Sequence, residues 1–158
     1  MPREKKVLTR VLAVGCLVAA GLGMPATAIA ETTNDTVTRW GLLGTWTTVD
    51  CNKPAKESQR LIYVIRQGKA VHLRDFGDRK DEAEILRALV APDGSLELRI
   101  RYPSINQTRD LAFMRGPDQR IKVKFNRNAE GDWSYSIFDA KFVANGSPAP
   151  WQTRCDAR

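Results

Sequence analysis

The chain has 158 residues, 42% of them hydrophobic, and carries 25 Lys and Arg against 18 Asp and Glu for a formal charge of +7. That length holds one domain of ordinary size. Its like charges form no block, so composition does not indicate a dedicated nucleic-acid or membrane-surface role.

Residues 1–30 read as a signal peptide. Arg3, Lys5, Lys6 and Arg10 form a basic start, Val11 to Gly23 is apolar, and Ala28-Ile29-Ala30 is an A-x-A cleavage site. The apolar run is short for a membrane span, which argues against a retained anchor. Cys16 raises a lipoprotein reading, but Ala13-Val14-Gly15 matches the Leu-led motif poorly, so Cys16 is expected to leave with the signal. Cleavage after Ala30 predicts a periplasmic or secreted protein. It also removes four basic residues and Glu4, which lowers the charge of the remainder to +4. Cys51 and Cys155 then remain, and an even count in an oxidising compartment predicts one disulfide.

Glu31 to Thr38 is polar and without periodicity, so residues 31–39 are expected to be a flexible lead-in to a single domain over 40–158. Trp40, Leu42 and Leu43 introduce a first strand around Thr45 to Asp50. Asn52 to Arg60, with Pro54, reads as a polar connection. Strand-sized pieces follow at Leu61–Gln67 and Ala70–Phe76, joined by Gly68-Lys69, which suits a type II′ turn. Asp81 to Val90 has helical propensity, yet Pro92-Asp93-Gly94-Ser95 hands Ile85–Ala91 directly to Leu96. A strand is favoured there, with a short amphipathic helix as the alternative. Leu96–Tyr102 alternates cleanly between apolar and charged residues, and Ile121, Val123 and Phe125 repeat the pattern. Leu111–Arg115 lies between them. In Trp133 to Val143 the apolar set changes phase, which predicts a β-bulge near Ile137–Asp139. About eight strands with short links predict an all-β protein: an antiparallel up-and-down meander forming a small barrel or flattened sandwich, stapled by one disulfide.

Gly44-Thr45-Trp46 at the head of such a meander resembles the G-x-W of the calycin group, which includes the lipocalins. The resemblance implies that Trp46 plugs one end of the barrel and that a late arginine, here Arg154, packs across it. The T-D-Y motif of lipocalins is absent. The spacing of Trp46, Cys51, Asp139-Ala140-Lys141-Phe142, Gly146, Pro150 and Cys155 is also similar to small exported bacterial proteins, which implies location and shape but no chemistry.

No catalytic residue, metal site or cofactor is expected. His72 is the sole histidine, and no nucleophile motif, P-loop or dinucleotide fingerprint accompanies it. One His and two paired Cys cannot complete a zinc site. Asp75, Asp78, Asp81 and Glu82 crowd one turn, but their spacing fits no EF-hand and Arg79 and Lys80 offset them. Asn106-Gln107-Thr108 matches the glycosylation pattern by composition alone. The surface feature that stands out is a basic stripe of Arg99, Arg101, Lys122 and Lys124, with Arg109 and Arg115 between. It could receive an anionic partner, against the plainer reading of a solvated face balanced by Glu97, Asp110 and Asp118. Three functions are weighed. The favoured one is a non-catalytic binding protein of the envelope, whose partner is a protein or an anionic envelope component, recognised through surface and loops such as Asn52–Arg60 and Asn145–Pro150. The second is a carrier of a small apolar ligand, and an enzyme comes last. The expected inward residues Tyr63, Leu98, Ile100, Phe113, Phe125, Trp133 and Tyr135 would fill an eight-stranded barrel, which disfavours carriage.

Overall fold

A computed structural model describes residues 31–155. The expected signal segment, with Cys16, lies outside the described residues. Alternation builds the sheet: along Leu96–Tyr102 every second residue is buried, which needs one face in the core and one towards water. In chain order the strands are β1 (Gly44–Thr47), β2 (Arg60–Arg66), β3 (Lys69–Asp75), β4 (Lys80–Val90), β5 (Leu96–Tyr102), β6 (Gln107–Arg115), β7 (Ile121–Asn128), β8 (Tyr135–Phe138), β9 (Lys141–Phe142) and β10 (Trp151–Arg154). β1 to β7 form an antiparallel meander, and β10 returns between β7 and β1 to close an eight-stranded barrel. Closure pairs β1 and β7 through β10, while β9 stays at the end of the sheet.

Cys51 and Cys155 are bonded, with Cα atoms 5.4 Å apart across 104 residues of sequence. The cystine fastens the connection after β1 to the end of β10. Arg60 reinforces that junction by donating to the carbonyls of Cys51 and Lys53, both at 2.7 Å. The connection is therefore pinned. Ser58, 2% exposed, bonds to the hydroxyl of Thr47, also buried.

Residues 31–39 are not a flexible lead-in. A helix, α1 (Thr33–Trp40), runs through most of them. Thr32 caps it by accepting from the Asp35 amide at 3.2 Å, and its hydroxyl donates back to the Asp35 carboxylate at 2.6 Å. Gly41, at φ +78°, ends the helix in the left-handed conformation. α1 lies over one end of the barrel. Asn34 donates to the carbonyl of Gly68 in the β2–β3 turn, and the Trp40 indole to Gly94 in the β4–β5 turn. Val37 and Leu42 are buried in the same apolar cluster as Trp46, Leu96 and Phe113.

Other expectations are corrected in detail. The β2–β3 turn is Gln67-Gly68, both with positive φ, rather than Gly68-Lys69; Arg66 pairs with Lys69 across it. That is the type I′ pattern, whose twist suits a hairpin. The strand favoured over a helix for residues 81–90 is present as part of β4, and a bulge between Ile85 and Arg87 lets Ala88 rejoin the inner face. The change of phase in 133–143 comes from a hairpin, not a bulge: Asp139 and Ala140, both at positive φ, turn β8 into β9. This hairpin is an extension off β7, which pairs with β10 at Ile121 and Lys122 and with β8 at Asn126 and Arg127. The eighth barrel strand is instead the four-residue β10. Phe125, Trp133 and Tyr135 do not point inward. A register shift in β7 opposes Phe125 to Ala112, on the outer face, and Trp133 and Tyr135 stay exposed.

Candidate functional site

The barrel interior is filled. Trp46, Tyr63, His72, Leu98, Ile100, Phe113 and Ile121 are each at most 3% exposed. Trp46 sits on β1 opposite Arg154 of β10, whose guanidinium lies 5.9 Å from the indole centroid. The indole N–H donates to the carbonyl of Leu42 at 2.8 Å, which ties the barrel wall to the segment after α1.

A polar group lies inside this apolar lining. His72 on β3 faces Tyr63 on β2, and their rings stack 4.4 Å apart. His72 Nδ1 is 3.1 Å from the Tyr102 hydroxyl, while Nε2 is buried without a partner among the described residues. Burial, then the nearby Arg74 guanidinium, depresses the imidazole pKa to about 3, so His72 is neutral at physiological pH. Burial likewise raises both tyrosines above their ordinary range. Arg74 covers the Tyr102 ring at 4.5 Å and donates Nε to Asp81 at 2.8 Å. Its hydrogen bonds, with one from Ser104, hold the Asp81 carboxyl below its usual range. A neutral imidazole between two phenols is a rigid element of the core. A charged one would have no counter-ion in contact.

The basic stripe is dispersed. β5 and β7 do not pair, because β6 lies between them. Arg99 makes a two-pronged pair with Asp110, at 2.8 and 3.0 Å, and Arg127 adds a third contact to the same carboxylate at 3.2 Å. These partners keep Asp110 ionised despite its burial, Arg99 contributing most. Arg101 lies 3.8 Å from Glu130 and Lys124 2.5 Å from Asp93. Lys122 rests over Trp151. Arg109 is on the other side of the sheet, opposite Ile100, where it donates to Asn126, Gln107 and Ser136. Carboxylates thus take up much of the charge that the pattern exposed.

Two outer features have no counterpart in the sequence reading. The β8–β9 hairpin carries Tyr135, Phe138, Phe142 and Val143 on an exposed surface beside Trp133. Phe125, Tyr135 and Phe138 meet there edge-to-face, with Arg127 beside them. At the α1 end an open cleft of about 400 Å³ runs along Trp46, Arg115, Asp118, Gln119, Arg120 and Arg154. Only the closing role of β10 brings Arg154 beside Arg115 and Arg120.

The fold and these sites define a small cystine-closed antiparallel barrel with a packed interior. Compared with known proteins, the chain matches no family model, no curated protein and no solved structure. No helix among the described residues is long and apolar enough to cross a membrane. No cluster of metal-ligating side chains is found among them.

Proposed function

We propose that the protein is an exported, non-catalytic recognition module of the cell envelope that meets its partner through its outer surface and loops. The packed interior carries this reading: a barrel filled by Trp46, Tyr63, His72 and Phe113 leaves its recognition chemistry on the outside. The cystine supports export, since such bonds persist in oxidising compartments. The register that sets Arg154 across from Trp46 supports the calycin likeness in shape. His72, held neutral and enclosed by two tyrosines, is itself out of reach as a general base, in keeping with a non-catalytic role. The test sets surface recognition against carriage. The disulfide-bonded protein is titrated with N-phenylnaphthylamine, a neutral apolar fluorophore, and separately mixed with washed envelope fractions. Recognition at the surface predicts retention by the envelope without saturable dye binding. Saturable dye enhancement, with no retention, would establish carriage instead.

A further inference from the structure

Five of the eleven large hydrophobic side chains exposed among the described residues fall within residues 133–143, so the open apolar surface is concentrated on the β8–β9 hairpin and the turn before it. One guanidinium joins its rings. Arg127 lies 4.9 Å from the centre of Trp133, 5.9 Å from Tyr135 and 5.8 Å from Phe125. Phe138 continues the surface, with its ring 5.1 Å from that of Tyr135. Arg127 is itself anchored on the buried Asp110 carboxylate, so these rings are ordered before anything meets them. Trp133 is also held at φ +55°, in the left-handed region that a bulky side chain rarely occupies. It presents an indole that is 47% exposed. On the same surface an open cleft of about 220 Å³ is lined by Phe125 and Phe138, with Lys124 and Asp139 beside them.

At about 150–250 Å² per aromatic side chain, the exposures of Trp133, Tyr135 and Phe138 leave roughly 200–350 Å² of connected ring surface open. That is half or more of the apolar area on one side of a standard interface, ~800 Å² per partner and a little over half non-polar, so it suits a reversible pair. The cleft is smaller than the ~300 Å³ at which small-molecule pockets begin and has the scale of one aromatic side chain. Charge selects the occupant. Lys124 and Lys141 are accompanied by Asp132 and Asp139, so an anionic surface or polymer would meet carboxylates as well as cations. A second copy brings both signs, and a two-fold axis makes the same patch serve on both sides. The outer edge of β9 is not the contact. The Phe142 amide donates to the Ser147 carbonyl at 2.9 Å and the Ala149 amide to that of Ala140 at 2.8 Å, so residues 147–149 occupy it. We propose that the protein forms a two-fold dimer through this aromatic face, with Trp133 of each copy seated in the Phe125–Phe138 cleft of the other. The pairing goes beyond the envelope reading and is read from mass, so its failure leaves envelope retention untouched.

Sedimentation equilibrium of the disulfide-bonded protein tests this. A dimer that dissociates on dilution is expected, half-populated at roughly 10–100 μM. In 15N-labelled protein the Trp133 indole N–H signal should move with concentration, while those of Trp40 and Trp46, at the α1 end, stay fixed. Trp133→Asn supplies a residue that the left-handed region tolerates, so it should fold as the wild type does and weaken the dimer about tenfold or more, the scale of an interface hot spot. Phe138→Ser should do the same, whereas Ile65→Ser, at an exposed position on β2, should leave the dimer unchanged. Because the contact is apolar and its charges are mixed, high salt should alter it little. The wild-type mass needs no variant, so a misfolded variant does not protect the proposal. A monomeric mass up to about 1 mM, or a dimer unaffected by both Trp133→Asn and Phe138→Ser, would overturn it. So would a monomer that binds phosphatidylglycerol vesicles and loses that binding in Trp133→Asn, which would assign the face to a lipid surface.

Discussion

Replacing His72 with Phe should flatten the acid limb of the stability curve. The folded imidazole has a pKa of about 3, against about 6.5 in an unfolded chain. Above pH 6.5 both states leave it neutral, and its contribution to stability is fully present. As the pH falls below 6.5 the unfolded chain takes up a proton that the folded chain refuses, and stability falls by up to ~1.4 kcal/mol per pH unit until the folded group titrates. Between pH 7.5 and 4.5 the accumulated loss is roughly 2–3 kcal/mol. That window lies above the range in which unfolded Asp titrates, about pH 3.9, so Asp81 and Asp110, whose folded pKa values are lowered, add their losses only at the bottom of it and below. The groups facing the imidazole are Tyr63, Arg74, Asp81 and Tyr102, and only Asp81 favours its charged form. His72→Phe keeps a ring against Tyr63 and loses the bond to the Tyr102 hydroxyl, a loss that does not vary across the window. Urea unfolding of both proteins at half-unit pH steps gives the difference curve. A slope that develops below pH 6.5 and reaches roughly 2–3 kcal/mol by pH 4.5 is expected. Parallel curves would refute the buried, neutral histidine, whatever the constant offset between them.

The remaining predictions concern the staple, the anchor and one turn. Cys51→Ser with Cys155→Ser releases a closed loop of 104 residues and should lower the unfolding free energy by about 3–5 kcal/mol, read by urea denaturation with the reduced wild type as control. Trp46→Ala removes an indole that is 2% exposed and should cost about 3–5 kcal/mol; thermal unfolding of a variant close to wild type would show that the ring is not the anchor of the cluster. Gly77 has φ +89°, and a Cβ there would lie 2.6 Å from the backbone nitrogen of Lys56. Gly77→Ala should therefore destabilise by more than the ~1 kcal/mol typical of a left-handed glycine, and faster amide exchange at residues 52–58 should report the displaced connection. Asp110→Asn weakens the carboxylate shared by Arg99 and Arg127 and should cost about 1–3 kcal/mol at pH 7, with the difference shrinking as the wild-type carboxylate protonates in acid.

Local chemistry by itself determined the strand content, most of the turns and the cystine. Alternation at Leu96–Tyr102 required one buried face, and Asp93-Gly94 required a tight reversal, because these depend on neighbours within a few residues. The helix α1 was also written locally, in Thr32 with Asp35 and in Gly41, but its polar composition concealed the one face that Val37 buries. Closure was a different matter. β10 has four residues preceded by Pro148 and Pro150, too short to show a period, and it becomes a strand only because β7 and β1 both offer it hydrogen-bonding partners. The same long-range pairing sends Trp133 and Tyr135 outward, separates β5 from β7, and gathers Arg115, Arg120 and Arg154 beside tryptophans distant in the chain. Side-chain period and turn residues are properties of a segment. Which segments become neighbours is set by the free energy of the whole closed sheet, and that decided where this protein presents its charge.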